Sequence, residues 1–177
     1  MAVRALAEGE QAAASHALAD AFQNEPLATF IFADPGERVR GLTAMFTAVV
    51  TEAPADALID VNDDVSAVAI WLPPGSDVTS PPPRGGPAAA IDLFEQVNAA
   101  APAQPFWYLE FLGARTPGRG DGSALLGHGH ARIGGQPSAL WTAKEANVGF
   151  YESHGYAVLS SHIVDGAQAW WMWRAAD

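Results

Sequence analysis

The spacing of apolar residues changes along the chain and separates helical stretches from extended ones. Residues 10–24 and 35–50 carry apolar side chains at helical spacing, and the second stretch opens with a proline that suits a first helical turn. After these stretches, the spacing of apolar residues changes to a period of two. This change predicts strands over 57–61 and 65–72, joined by an Asn-Asp-Asp turn at 62–64.

A proline- and glycine-rich stretch follows these first elements. Residues 76–87 contain three consecutive prolines and predict a loop, a short helix is predicted over 91–99, and a second proline-rich connector covers 101–105. Neither flank has enough strands to close a sheet by itself. We therefore interpret about 76–105 as an insertion within one domain that spans 1–177.

Strands and helices alternate in the C-terminal part of the chain. The pattern predicts an aromatic-rich strand at 106–112, a glycine-rich turn at 115–122, a helix at 123–133, a strand at 139–143, a helix at 147–154, and two last strands at 156–164 and 169–174. This order predicts an α/β fold, with a mixed sheet flanked by helices.

The composition is that of a globular protein, with 49% apolar and 16% charged residues. No apolar run approaches the ~20 residues that span a bilayer, and the first residues lack the pattern of a signal peptide. The absence of cysteine excludes disulfides, thiolate metal sites and a cysteine nucleophile. His128 and His130, two apart on a predicted helix, point to different sides, so no metal site is expected. We expect a cytoplasmic protein without a membrane partner.

The charge balance is strongly acidic, with nine basic and twenty acidic residues and a net charge of −11. Such a surface repels phosphate backbones, so nucleic-acid binding is not expected. It favours cationic small molecules such as amines, although the acidity is equally consistent with a role in solubility alone. Lys144, the only lysine, is interpreted as exposed. The expected partner is a small molecule, an amine or an aromatic compound, and both a monomer and a homodimer remain open.

A glycine-rich turn, residues 118–123 (GRGDGS), lies between a predicted strand and a predicted helix. Glycines allow positive φ and a close approach of backbone N–H groups to a ligand, and the helix N-terminus adds partial positive charge. Arg119 can add a full charge and Ser123 a hydroxyl. The turn predicts an anion site suited to a pyrophosphate, with an ordinary flexible turn as the alternative. The P-loop lysine and the last glycine of the dinucleotide fingerprint are both missing.

Three segments, in this order, resemble motifs of the GNAT superfamily of N-acetyltransferases. Residues 106–113 (FWYLEFLG) resemble its W-Y-L-x-x-L-x-V strand, and residues 118–126 (GRGDGSALL) resemble its coenzyme A loop, Q/R-G-x-G-x-G/A-S-x-L-L. Residues 147–156 (NVGFYESHGY) resemble its N-x-x-x-F-Y-x-x-x-G-F/Y segment. The nearest subgroup is that of the puromycin N-acetyltransferase-like proteins, to which residues 71–75 (WLPPG) are also similar.

The resemblance implies a mostly antiparallel sheet in which two central strands splay into a V that holds acyl-coenzyme A. Loop amides then bind the pyrophosphate, and the amine attacks the thioester directly. Acetyl-coenzyme A is the expected co-substrate. The positions that the resemblance assigns to coenzyme binding are Leu112, Ala114, Gly118, Arg119, Gly120, Gly122, Ser123 and Asn147.

Two residues are expected to be catalytic. Tyr151 matches the family's tyrosine that protonates the leaving thiolate; the alternative is a core aromatic at a helix end. A base is needed because an ammonium group must lose a proton before it can attack. Glu110 is the candidate, since residues 108, 110 and 112 of a strand share one face, and an ordinary exposed strand residue is the alternative.

The loop departs from the family pattern. It is shorter than usual, and Pro117, which has no N–H, occupies the Gln/Arg position. Asp121 introduces a negative charge beside the expected pyrophosphate, so that its replacement by leucine is expected to strengthen coenzyme binding.

Two functions of different classes follow. The leading one is an acyl-coenzyme A-dependent N-acyltransferase, an acetyltransferase, that acts on a small-molecule amine in antibiotic resistance, detoxification or specialised metabolism. The other is a degenerate GNAT fold that performs a coenzyme-independent cyclisation or elimination on a small hydrophobic metabolite, or simply binds it. Pro117 and Asp121 favour the second function, and residues 147–156 favour the first.

Overall fold

Helices cover both faces of a seven-stranded sheet. The computed structural model describes residues 2–79 and 87–177, so that residues 80–86 of the predicted loop lie outside the described residues. The helices are α1 (Gln11–Phe22), α2 (Pro26–Ile31), α3 (Pro35–Thr51), α4 (Ala88–Ala99), α5 (Asp121–Arg132) and α6 (Glu145–Glu152). The strands are β1 (Val3–Ala5), β2 (Leu58–Asn62), β3 (Ala67–Leu72), β4 (Trp107–Ala114), β5 (Ser138–Thr142), β6 (Ala157–Val164) and β7 (Ala167–Arg174).

The strand order is β1-β2-β3-β4-β5-β7-β6, and all neighbours are antiparallel except the parallel pair β4 and β5. The predicted fold class, a mixed and mostly antiparallel sheet flanked by helices, is confirmed. The pattern missed β1 and α2, because three and six residues are too few to display a period.

The core consists of two layers, one on each side of the sheet. Val68 and Ile70 of β3 belong to the cluster beneath α1 and α3, and Leu72 belongs to the cluster beneath α4. Ala69 and Trp71 point to the opposite face, where α5 and α6 pack. Every residue of β3 is consequently buried, which explains why its sequence is a continuous apolar run.

The sheet opens between its two central strands. Trp107 pairs with Ser138 and Tyr108 pairs with Ala139, and there the register between β4 and β5 ends. Beyond this point β4 continues to Ala114 against β3, whereas β5 pairs with β7 along its length. The two strands therefore diverge and leave the V-shaped gap that was expected.

Candidate active site

The glycine-rich loop leaves β4 beside the gap and leads into α5. Gly118 and Gly120 have φ values of 83° and 84°, in the left-handed region that favours glycine. Gly120 directly precedes α5, and no side chain of the described residues caps this helix end. The first N–H groups of α5 thus lack a side-chain acceptor and can bind an anion. Arg119 and Ser123, which were predicted to contribute, are both exposed at this end.

The first turn of α5 contacts α6 through Gly122. A Cβ atom at this position would lie 3.3 Å from the Phe150 ring and 3.9 Å from Leu112, so a larger residue would press on that ring. This contact places α6, with Asn147 and Tyr151, next to the loop. The loop and the C-terminal motif, which the sequence separates, are therefore neighbours in space.

Leu112 and Ala114 lie on the part of β4 that has separated from β5. Both are half-buried and pack on the cluster beneath α5. Since β5 does not pair with this part of β4, the backbone edge of the strand faces the gap. An extended ligand can bond to such an edge in the manner of an added strand.

Asp121 departs from the expectation drawn from the sequence. Its side chain is only 3% exposed. One carboxylate oxygen accepts a hydrogen bond from Nδ2 of Asn62 at 3.0 Å, and the other lies 3.9 Å from Nε of Arg119. The carboxylate is therefore turned toward the connection between β2 and β3, where its charge has partners within the protein.

Asn147 and Tyr151 lie four residues apart on α6 and share one helix face. Nδ2 of Asn147 donates to the hydroxyl of Thr142 at the end of β5, at 3.3 Å. Tyr151 is 7% exposed and packs against Phe150 and Tyr156, with ring centroids 5.2 and 5.8 Å away.

The environment of Tyr151 keeps its phenol protonated. Burial raises the pKa of the Tyr151 phenol above its usual range, and the nearby Tyr156, Glu25 and Tyr108 raise it further. Tyr151 belongs to α6, which packs on β5, β6 and β7, and it shares its core cluster with Leu109 of β4. A protonated phenol at this position can act as an acid.

Glu110 lines a cavity of about 370 Å³ on the other face of the sheet, between the ends of α3 and β3. Glu52 and Asp77 also line it, and the nine described lining residues include no basic one. Burial raises the pKa of the Glu110 carboxyl to about 7. A base with this pKa can accept a proton near neutral pH.

A β-bulge at Glu110 corrects one detail of the prediction. Across this bulge Glu110 is the extra residue of β4, so the alternation of side chains shifts by one. Tyr108 and Leu72 belong to one core cluster, whereas Leu112 packs on the cluster beneath α5. The prediction that residues 108, 110 and 112 share a face is therefore wrong for Leu112.

Lys144 forms an ion pair that the sequence did not reveal. Nζ of Lys144 lies 2.8 Å from a carboxylate oxygen of Glu25. Lys144 follows β5, and Glu25 follows α1, which packs on β4. The side chain of Lys144 is 40% exposed, in line with the interpretation from the sequence, which did not include the partner.

The described residues, 2–79 and 87–177, contain no group of three or more histidines, cysteines or acids arranged to bind a metal ion. Within the same ranges, no helix combines the length and the apolar character that crossing a membrane requires.

No protein-family model matches this sequence, but solved acetyltransferase structures match almost its whole length. A structure from Corynebacterium glutamicum, described as histone acetyltransferase HPA2 and related acetyltransferase, is 26% identical with a TM-score of 0.74, over 99% of this chain and 96% of that chain. Arylalkylamine N-acetyltransferase 2 from Aedes aegypti matches with a TM-score of 0.66 at 12% identity over 99% of both chains. An agmatine N-acetyltransferase mutant matches with a TM-score of 0.64 at 15% identity over 97% of both chains.

The chain therefore has the fold of the GNAT acetyltransferases. The match at 26% identity, together with the N-acetyltransferases of the same fold, supports an enzyme of this type.

Proposed function

We propose that this chain is an acyl-coenzyme A-dependent N-acyltransferase that transfers an acetyl group to a small-molecule amine. The observation that carries the proposal is the gap between β4 and β5, with the uncapped N-terminus of α5 beside it. We assign the two proton transfers of the reaction to Tyr151 on α6 and Glu110 on β4. The similarity to agmatine and arylalkylamine N-acetyltransferases supports an amine as the acceptor.

Acetyl-coenzyme A fits the polar groups of the gap. Its pyrophosphate would be held by the N–H groups around Gly118, Gly120 and Gly122, by Arg119 and by the partial positive charge of the α5 N-terminus. Its pantetheine amides would bond to the free edge of β4 beside Leu112 and Ala114. Asn147 and Ser123 are further candidates for coenzyme contacts, on α6 and on the first turn of α5.

Two side chains of the protein then move the protons of the reaction. Glu110 accepts the proton of the acceptor ammonium group and so frees its lone pair for attack on the thioester carbonyl. Backbone N–H groups of the free β4 edge stabilise the negative charge that develops on the carbonyl oxygen. Tyr151 donates its proton to the thiolate that leaves, and the second proton lost by the attacking nitrogen restores the phenol as the amide forms. The coenzyme supplies the activated acetyl group.

The acceptor would occupy the cavity beside Glu110. Its volume of about 370 Å³ suits a small ligand. The carboxylates of Glu110, Glu52 and Asp77 make it attractive to a cation, and the net charge of −11 acts in the same direction over longer distances. We therefore assign a cationic amine to this cavity. An amine that carries an aromatic substituent is compatible with this assignment.

The finer assignment is to the puromycin N-acetyltransferase-like subgroup, on the likeness of residues 71–75 and of the tryptophan-rich last strand at 169–174. It implies a cytoplasmic enzyme of antibiotic resistance or specialised metabolism. Growth of a host that expresses the chain, with and without puromycin, tests this assignment separately from the acetyltransferase activity. Equal sensitivity of both hosts would contradict it.

Calorimetric titration with acetyl-coenzyme A, followed by a thiol-release assay with agmatine and arylalkylamines, tests the proposed reaction. We expect saturable binding, and thiol release that requires both protein and amine. Glu110→Gln is the matched control and should bind the coenzyme while losing turnover.

One observation favours the coenzyme-independent alternative. Pro117 removes a backbone donor from the loop. If neither binding of acetyl-coenzyme A nor thiol release is detected at millimolar ligand, the proposed reaction is wrong and a hydrophobic metabolite becomes the expected ligand.

A further inference from the structure

Both ends of the glycine-rich loop form hydrogen bonds to the same turn, residues 62–66, which joins β2 to β3. At the start of the loop, the N–H of Arg115 donates to the carbonyl of Ser66 at 2.9 Å. At its end, Asp121 accepts the hydrogen bond from Asn62. The loop is therefore held at both ends by hydrogen bonds to one turn.

The amide of Asn62 has a defined orientation. Its Oδ1 accepts hydrogen bonds from the backbone N–H groups of Ser66 at 2.9 Å and Ala67 at 3.0 Å. Its Nδ2 must therefore point the other way, where it donates to Asp121 and, at 3.0 Å, to Oγ of Ser66. Asn62 and Asp121 are 1% and 3% exposed. Loss of Asp121 would leave one of the two N–H bonds of Nδ2 without an acceptor, and loss of Asn62 would leave a buried carboxylate oxygen without its donor; both changes are costly.

The second oxygen of Asp121 acts on the exposed side of the loop. It lies 3.9 Å from Nε of Arg119, whose side chain is 55% exposed. Because the contact uses the Nε edge, both Nη groups can still reach an anion outside the loop. The negative charge of Asp121 on the first residue of α5 also stabilises this helix end.

We propose that Asp121 is a positioning residue for the coenzyme pyrophosphate, which holds the loop on the Asn62 turn and orients Arg119 from inside the protein. The inference rests on the proposed acyltransferase function and deepens it. It reverses the expectation from the sequence, in which Asp121 opposes coenzyme binding through its charge. The buried hydrogen bond and the ion pair are the reasons for the reversal.

The test compares two acetyl donors, acetyl-coenzyme A and acetyl-pantetheine, of which only the first has a pyrophosphate. In Asp121→Leu we expect KM for acetyl-coenzyme A to rise about tenfold, as loss of a buried hydrogen bond predicts. KM for acetyl-pantetheine and kcat should change less than about twofold, since neither uses the loop. Asp121→Asn retains an acceptor for Asn62 and should restore most of the affinity.

Two further variants complete the design. Asn62→Ala breaks the same bond from the other side and should raise KM for acetyl-coenzyme A like Asp121→Leu; it decides the question if the leucine variant does not fold. Asp92→Leu removes one negative charge from an exposed position on α4 and is the matched control for net charge.

The outcomes separate this inference from the proposed function. Normal thiol release by the wild type with unchanged or lower KM in Asp121→Leu overturns the inference and leaves the acyltransferase intact. An equal rise of KM for both donors assigns Asp121 to general stability and also overturns it. If the wild type neither binds nor uses acetyl-coenzyme A, both the function and the inference fail.

Discussion

The two sides of the candidate site attract ligands of opposite charge. Around residues 118–123, the N–H groups of α5 and Arg119 attract an anion, and the one acidic side chain, Asp121, is buried and has partners inside the protein. In the cavity beside Glu110, three carboxylates face the same space. A chain with a net charge of −11 can therefore bind an anionic coenzyme only where local geometry outweighs the overall field, whereas a cationic acceptor is helped by both.

The largest effect is expected at the cavity. Replacement of the proposed base in Glu110→Gln should lower kcat/KM by about 10²–10⁴-fold, as removal of a general base typically does. In the wild type, the pKa of about 7 predicts that kcat/KM falls about tenfold per pH unit below 7 and levels above it. A pH–rate profile on both proteins checks this. If wild type and Glu110→Gln had the same pH–rate profile, Glu110 would not be the base and its role would be packing.

The pH dependence of the free energy of unfolding tests whether the Glu110 carboxylate is desolvated. The pKa of this carboxyl in the folded protein, about 7, lies above its ordinary value of 4.5. The folded state therefore binds the proton more tightly, and stability falls as the pH rises from about 4.5 through 7. Glu110→Gln lacks this loss and should be more stable than wild type at pH 8, by about 1–3 kcal/mol in denaturant titrations. Equal stability of wild type and Glu110→Gln at pH 8 would contradict the inference that the Glu110 carboxylate is desolvated.

Next in size is the effect of the proposed acid. Tyr151→Phe should lower kcat by about 10²-fold, with the dissociation constant for acetyl-coenzyme A nearly unchanged, because binding does not use the phenol proton. Single-turnover kinetics and calorimetry together separate the two quantities. A parallel loss of affinity and rate would indicate that the ring serves packing against Phe150 and Tyr156.

A smaller effect is expected at the loop. Gly120 has a φ of 84°, a conformation that costs an L-residue about 1–2 kcal/mol. Gly120→Ala should weaken acetyl-coenzyme A binding about tenfold, without changing the affinity for the acceptor.

Gly127→Ala on the same helix is the matched control for the loop. A Cβ atom at position 127 meets nothing within 4 Å. Alanine should therefore stabilise α5 by about 1 kcal/mol and leave binding unaffected. Equal coenzyme affinity of both alanine variants would show that the left-handed turn is not part of the site.

Salt should produce the smallest effect and distinguish the two sides most directly. Added salt screens the attraction between the acidic protein and a cationic acceptor, so its KM should rise about two- to threefold, with kcat nearly constant. KM for acetyl-coenzyme A should rise less, because screening also reduces its repulsion from the net charge. Initial rates at low and high ionic strength check this, and a salt-insensitive acceptor KM would point to a neutral aromatic ligand.

The strands and helices around the site could be predicted because each is specified by a pattern within a few consecutive residues. The aromatic strand, the glycines at 118 and 120, and the helix that carries Asn147 and Tyr151 each occupy a few consecutive residues. The gap itself followed from the resemblance of these segments to the GNAT motifs. The burial of Tyr151, in the core cluster that also holds Leu109 of β4, needed the structure.

What the sequence by itself determined is thus the order of the elements, the fold class and the identity of the segments that meet at the gap. Only the tertiary structure decided which partner each charged side chain has. Asp121 contacts Asn62, 59 positions away, and Lys144 contacts Glu25, 119 positions away. The physical reason is that periodicity and turn chemistry act over a few neighbouring residues, whereas the environment of a buried charge is set by segments that folding brings together.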